Sequence, residues 1–222
     1  SSTGIYESLN CGLKSFDDEK NVKKNLNVAK RTLLKQNKSL IIPDQYHSNK
    51  CLIATANNPY PKCDALVTSD NSLILGITAA DCLPIIFYDQ KNHVIGIAHA
   101  GWKGLVKGVV QNTLNKMINL GAQKKSIKSI IGPCIRSGSY EVNKDFVKKL
   151  KTEYQKFAVR RMQKIYFDLP KLAKYILLNS NISEVHDTKK NTFLDKNYFS
   201  FRESKKKKLK DYGRNINLIS II

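Results

Sequence analysis

The sequence predicts a single α+β (mixed α/β) domain, and three observations carry that prediction. Short apolar runs of strand character are mixed with longer stretches of helical period, without a regular strand–helix–strand succession. No internal repeat and no convincing linker divides the chain. Its 222 residues, 41% hydrophobic and 25% charged, suit one soluble globular core.

Taken in order, residues 6–12 read as a loop or a short extended piece. A helix is predicted over 17–34, with Asp17, Asp18 and Glu19 at its positive end and Val22, Leu26, Ala29 and Leu33 on one face. Residues 40–42 read as a short strand running into Pro43-Asp44-Gln45-Tyr46-His47-Ser48. Strands at 52–54 and 64–68 follow, separated by a Pro/Asn loop. The stretch 76–104 is the one the chain is built around. An apolar run at 74–77 stops at Thr78-Ala79-Ala80-Asp81-Cys82, and 83–88 is a second run. After the polar turn 89–92, a third run at 93–98 ends at His99-Ala100-Gly101-Trp102-Lys103-Gly104. Reactive side chains thus sit at strand ends. If the strands before Cys82 and His99 are neighbours, the thiol and the imidazole meet.

Residues 105–119 form an amphipathic helix stopped by Leu120-Gly121. Residues 129–135 read as strand then turn, and 143–157 as a helix of alternating basic and apolar residues. Phe167-Asp168-Leu169-Pro170 leads into a helix through Leu178, with Pro170 near its first turn. Residues 199–202 and 216–222 read as late strands.

The formal net charge of +20 invites a nucleic-acid reading. Yet the lysines are spread along the chain, and only Lys205 to Lys208 form a dense run. Lys in excess of Arg, with abundant Asn, fits an AT-rich coding bias. Charge alone licenses only non-specific phosphate attraction, so no specific nucleic-acid partner is expected. A basic surface does attract anionic substrates. No apolar run is long enough to span a bilayer, and no basic segment precedes an apolar one at the start. A cytoplasmic protein without a membrane partner is expected. The chain opens on Ser1-Ser2-Thr3-Gly4 without an initiator Met, as a trimmed chain would. Its cysteines are Cys11, Cys51, Cys63, Cys82 and Cys134. An odd number, widely spaced and without a CxxC pair, points to a reduced protein with one special Cys.

Only four histidines occur: His47, His93, His99 and His186. His47 follows a strand in a polar loop, and His99 precedes a glycine-flanked turn. His93 and His186 read as surface. Two imidazoles and a thiolate make a sound Zn²⁺ ligand set, and three protein ligands leave an open fourth position. The spacing fits no local zinc pattern, so His47/Cys82/His99 stands beside two other readings. Cys82 is either an inert core thiol or the nucleophile of a metal-free Cys82/His99 pair. Asp81 is a general base, an acceptor that orients an imidazole, or a turn cap. Lys103 and Arg202 are candidates for phosphate or substrate oxygens, or plain solvated charges. Trp102 stacks on a planar ligand or packs in the core. Cys134 lines a pocket or fills its turn.

The motifs TAADCLPI, HAGWKG, IGPCI with Tyr140-Glu141-Val142, and FSFR resemble the bacterial polyphenol-oxidase-laccase domain family. Its members are also described as purine nucleoside phosphorylases and peptidoglycan editing factors. The resemblance extends to residues 2–10, 44–48, 64–68 and Gly213-Arg214, and so covers nearly the whole chain in order. It implies a single domain of layered β-sheets flanked by α-helices, over 1–222, and a metal site of His47, Cys82 and His99. Members begin with a further strand and a Gly-rich segment, which this chain lacks; an N-terminal truncation is therefore expected. Lys103 stands where the family has Arg, keeping the charge and losing the bidentate fork. Asn191-Thr192 stands in the region where a Cys-Thr pair is common.

The resemblance further implies zinc-dependent phosphorolysis of adenosine, inosine or methylthioadenosine, and deamination of adenosine. Purine nucleosides and phosphate are the partners, in a monomer. Cys82, His99 and Asp81 are the catalytic candidates; Lys103, Arg202 and Asn10 are the candidates for substrate or phosphate. Copper stands behind zinc: a multicopper oxidase needs on the order of ten imidazoles, and this chain has four. Two alternatives remain: a metal-free cysteine amide hydrolase or peptidoglycan-editing protein, and a zinc-containing binding or quality-control module.

Overall fold

A computed structural model describes residues 1–33 and 37–222. It is a mixed α/β fold in four layers. The first layer is α1 (Glu19–Thr32), capped by Asp18, whose side chain accepts from Lys20 N. The predicted last residue of this helix, Leu34, lies outside the described residues. Next come β1 (Ser39–Ile41), β2 (Cys51–Ile53), β3 (Ala65–Thr68), β4 (Leu73–Ala79), β5 (Leu83–Asp89) and β6 (Val94–Ala100). Two helices follow, α2 (Trp102–Lys107) and α3 (Val109–Asn119), then β7 (Lys128–Ile131) and β8 (Glu141–Val142). The rest is α4 (Lys144–Lys148), α5 (Thr152–Gln155), β9 (Ala158–Arg161), β10 (Lys164–Phe167), α6 (Leu169–Asn179), β11 (Val185–Asp187), α7 (Phe201–Lys206) and β12 (Asn215–Ser220).

A six-stranded sheet runs β11-β7-β5-β6-β3-β2, and a three-stranded sheet runs β1-β4-β12. The period-two pattern explains how they stack. Leu66 of β3, Leu73, Leu75 and Ile77 of β4, and Ile95 and Ile97 of β6 fill the space between the two sheets. The alternate residues Val67, Val94 and Ala98 turn the other way, onto Leu105, Val109, Leu114, Leu172 and Ile176 of the helical layer. On the outer face of the small sheet, Leu40, Ile42, Ile216 and Leu218 meet Val22, Leu26 and Ala29 of α1. Strands buried on both faces carry unbroken apolar runs, which is why the central stretch is so legible.

Three predictions need correction. The helix expected over 105–119 is two helices, broken at Gly108, whose φ of 92° no right-handed helix accepts. The helix expected over 143–157 is only α4 and α5; between them Leu150 turns into the core. The strand expected at 199–202 is the start of α7. Ser200 caps it by accepting from Glu203 N, so Ser-Phe-Arg-Glu is a capping sequence rather than an extended one. A small antiparallel sheet, β8-β10-β9, lies outside the expected elements. Its hairpin turns at Met162, a non-glycine residue at φ 53°, so no Gly or Asn-Gly signal marks it. Among the described residues no helix is long and apolar enough to cross a membrane.

Gly108→Ala tests the break. The added Cβ would meet only Gln111 Oε1 at 3.4 Å, so the cost is backbone strain rather than a clash. Urea unfolding should show a loss of about 1–2 kcal/mol.

Candidate metal centre

The site grows from one buried carboxylate. Asp64, immediately before β3, is fully buried in a strongly basic protein. Its oxygens accept from Tyr46 N (3.3 Å), His47 N (3.0 Å), Ser48 N (2.6 Å) and Ser48 Oγ (2.7 Å). A fifth bond comes from His99 Nδ1 at 2.9 Å. Burial is the largest influence on this carboxyl and pushes it up. The hydrogen bonds from His99 and Ser48 outweigh burial and hold it at about 2. Asp64 thereby pins the 46–48 loop and fixes His99 with Nδ1 as donor, leaving Nε2 for another partner. Gln45 ties the same loop to β4: its Nε2 donates to Thr78 O at 2.8 Å, and Thr78 N donates to its Oε1 at 2.9 Å.

Cys82 arrives by strand pairing. β5 and β6 are antiparallel with Leu83 opposite Ala100 and Pro84 opposite His99, so Cys82, one residue before β5, faces Gly101. The thiol and imidazole therefore meet through β5 and β6. They do not meet through hydrogen bonding of the strand before Cys82 to β6, because β4 belongs to the other sheet. Gly101 makes room: a Cβ there would lie 3.0 Å from Cys82 Sγ and 3.2 Å from His47 Cδ2. His47 stands at φ 62°, a left-handed conformation that is costly for a histidine. Its Nε2 is 3.6 Å from Cys82 Sγ.

His47, Cys82 and His99 offer ligand atoms all within 4.8 Å of one another, and among the described residues no other such group of His, Cys or carboxylates occurs. Zinc with bonds of about 2.3 Å to sulfur and 2.0 Å to nitrogen sets tetrahedral ligands roughly 3.5 Å apart. The sulfur–nitrogen distance fits that edge. Donor chemistry fits as well. Burial is the largest influence on Cys82 and opposes ionisation, but the charges and hydrogen bonds of His99 and His47 outweigh it and lower the thiol to about 6. For His99, burial acts downward, while Cys82 and Asp64 together raise it. Each partner thus favours the other's charged form, and loading a metal there would displace a proton. The other cysteines go the opposite way: burial pushes Cys11, Cys51 and Cys134 up to about 12 and Cys63 to about 11.

The remaining candidates separate. Asp81 hydrogen-bonds neither imidazole, and the orienting role belongs to Asp64. Its oxygens accept from Thr192 Oγ1 (2.7 Å), Ser200 Oγ (2.9 Å) and Arg202 N (2.6 Å), tying the β4–β5 turn to the C-terminal segment. Burial leads and raises its pKa against those bonds. Asn10 lines no cavity at the site. It is fully buried, its amide donating to Ser15 and Asp17 and its oxygen accepting from Gly12 N and Arg214 N. Lys103 is exposed, with its ammonium 5.9 Å over the Trp102 ring. Trp102 packs edge-on against Phe146. Cys134 is buried filling.

Two cavities meet at His47 and Cys82. One, of about 640 Å³, also has Gln45, Tyr60, His99 and Tyr212 in its wall. The other, of about 260 Å³, is walled by Lys103, Tyr140, Phe201 and Arg202 beside the same thiol. The sequence offered one sign of Asp64: a carboxylate, scarce in so basic a chain, at the head of an apolar strand.

The family described as multi-copper polyphenol oxidoreductase laccase matches residues 1–222, and the chain belongs to that family. A purine nucleoside phosphorylase of Rickettsia prowazekii is 29% identical over 160 residues, 69% of this chain and 66% of the relative. One of Bacteroides thetaiotaomicron is 32% identical over 183 residues, 78% of this chain and 63% of the relative. The matches thus span a little under two thirds of those two proteins. The crystal structure of Neisseria meningitidis protein NMB0706 is similar with a TM-score of 0.88 at 27% identity, over 100% of this chain and 89% of that one.

Asp64→Asn should lower metal affinity roughly 10- to 100-fold and cost about 3 kcal/mol of stability, since the amide brings a donor to a ring of donors. Titrating zinc into both proteins, with urea unfolding alongside, checks this. A carboxyl depressed in the fold contributes fully above its unfolded pKa, near 4, and loses that contribution as pH falls through about 2. The stability gap between wild type and variant, measured metal-free, should therefore narrow from pH 5 to pH 2.

Proposed function

We propose that this chain is a zinc-dependent purine nucleoside phosphorylase with adenosine deaminase activity at the same centre. One observation carries the reading: an oriented His–Cys–His set lies where two cavities meet, a roomy one with Tyr60 and Tyr212 in its wall and a smaller one with Lys103 and Arg202. Relatives named purine nucleoside phosphorylase support the substrate class. His47, Cys82 and His99 would hold the metal, which when bound supplies Lewis-acid polarisation of water or a substrate oxygen. Zinc is favoured over copper because the described residues gather one such group in a chain of four histidines, too few for a multicopper assembly, and neither cavity at the site is lined by a methionine that could serve as a blue-copper axial ligand.

In phosphorolysis a phosphate oxygen bonds to the anomeric carbon, and the bond to the purine nitrogen breaks. Its electron pair leaves with the base, which then takes up a proton. The sugar gains positive charge in the transition state and the base gains negative charge. Lys103 and Arg202 line the smaller cavity and are read as the phosphate side, since cations there hold the dianion against the sugar. Tyr60 and Tyr212 give the larger cavity an aromatic wall of the kind that suits a purine. Asp64 keeps His99 in one tautomer throughout. Asp81 anchors the turn that carries Cys82.

Adenosine and inosine, incubated with the metal-replete protein and separated by chromatography, test the proposal. Phosphate-dependent release of adenine or hypoxanthine is expected, with inosine formed from adenosine when phosphate is withheld. Cys82→Ala should abolish both activities and metal binding. Full activity in a metal-free Cys82→Ala variant would sink the metal-based mechanism. No base released by the wild type would remove the nucleoside reading.

A further inference from the structure

One side chain in the wall of the smaller cavity, that of Tyr140, is incompletely paired. Tyr140 precedes β8. Its backbone is fixed, with Tyr140 N donating to Arg136 O at 3.0 Å and Phe167 N donating to Tyr140 O at 2.9 Å. Arg136 in turn grips Asp187 of β11 with two bonds, of 2.8 and 2.7 Å. The ring is fixed too, edge-on to Phe146 at 6.0 Å and to Phe167 at 5.9 Å, in a cluster that continues to Trp102. The Arg202 guanidinium lies 5.4 Å over its face. Among the described residues the Tyr140 hydroxyl has no hydrogen-bond partner, although a half-buried phenol ordinarily finds one.

Its surroundings say what that partner is. Arg202 gives one N–H to Glu141 O at 2.7 Å, and its other guanidinium donors are unpaired among the described residues. Lys103, on the same wall, meets no carboxylate among those residues. The one carboxylate in the wall, Asp81, already accepts three hydrogen bonds. Burial pushes the phenol's pKa up, so the hydroxyl stays a donor. The cavity therefore presents the Lys103 ammonium, unpaired Arg202 N–H groups and the Tyr140 hydroxyl as donors, and a small oxyanion satisfies them.

We propose that the Tyr140 hydroxyl is the third donor, with Lys103 and Arg202, of an oxyanion subsite in the smaller cavity, where inorganic phosphate binds. The assignment to phosphate rests on the phosphorylase reading. The phenol binds and orients the anion, and the guanidinium stacked on its ring is held in register with it.

The test is calorimetric titration of inorganic phosphate into the metal-loaded full chain and into Tyr140→Phe, which keeps the ring packing and removes only the hydroxyl. Initial rates and melting temperatures are measured alongside. Phosphate affinity should fall about tenfold, the worth of one hydrogen bond to a charged partner. KM for phosphate should rise by the same factor. KM for the nucleoside and kcat at saturating phosphate should stay within about twofold, and the melting temperature should be unchanged. Arg202→Gln should also weaken phosphate binding. Equal phosphate affinity in wild type and Tyr140→Phe overturns the subsite, even if nucleosides are cleaved with phosphate. A loss confined to nucleoside affinity overturns it as well. Tyr140-dependent phosphate binding in a protein that releases no base upholds the subsite and removes the phosphorylase reading.

Discussion

A carboxylate with no solvent exposure is costly unless donors surround it, and Asp64 has five. Three come from the backbone of residues 46–48, one from the Ser48 hydroxyl and one from His99. The consequences run outward. The 46–48 loop is clamped to the head of β3, so His47 is held in a left-handed conformation that it would not choose alone. His99, on the neighbouring strand, is fixed with Nε2 directed away from Asp64. Remove the charge and both imidazoles lose their reference point. The same carboxylate thus serves folding and site assembly together.

The second constraint is the pairing of β5 with β6. It sets Cys82 opposite Gly101, and the missing Cβ leaves the space in which thiol and imidazoles converge. This contact explains why one cysteine in five behaves differently. Four are buried among apolar groups and held as thiols, whereas Cys82 is half-buried between two imidazoles and ionises readily. The four-layer stack behind these strands supplies rigidity, and the cavities open where the layers end in loops.

Much of this was legible in the sequence because the central strands are apolar on both faces and end in polar clusters. Helix α1 showed through its acidic start and apolar stripe, and α6 through Asp168 and Pro170 at its head. His47, Cys82 and His99 stood out as scarce reactive types at strand ends. What stayed hidden depended on partners distant in sequence. Asp64 looks like a strand residue until the loop around His47 folds over it. Asp81, adjacent to Cys82, attracted a catalytic reading, yet its bonds go to Thr192, Ser200 and Arg202, more than a hundred residues away. Asn10 proved to be a buried junction. The β8-β10-β9 sheet is not legible because its strands are only two to four residues long, and its turn carries no glycine.

The most direct test of the account is zinc X-ray absorption on the purified chain, with metal content determined on the same sample. One zinc per chain, with one sulfur and two imidazole nitrogens in its first coordination sphere and the sulfur signal lost in Cys82→Ala, is the predicted result. A zinc environment without sulfur, or several coppers per chain, would contradict the centre built on Asp64.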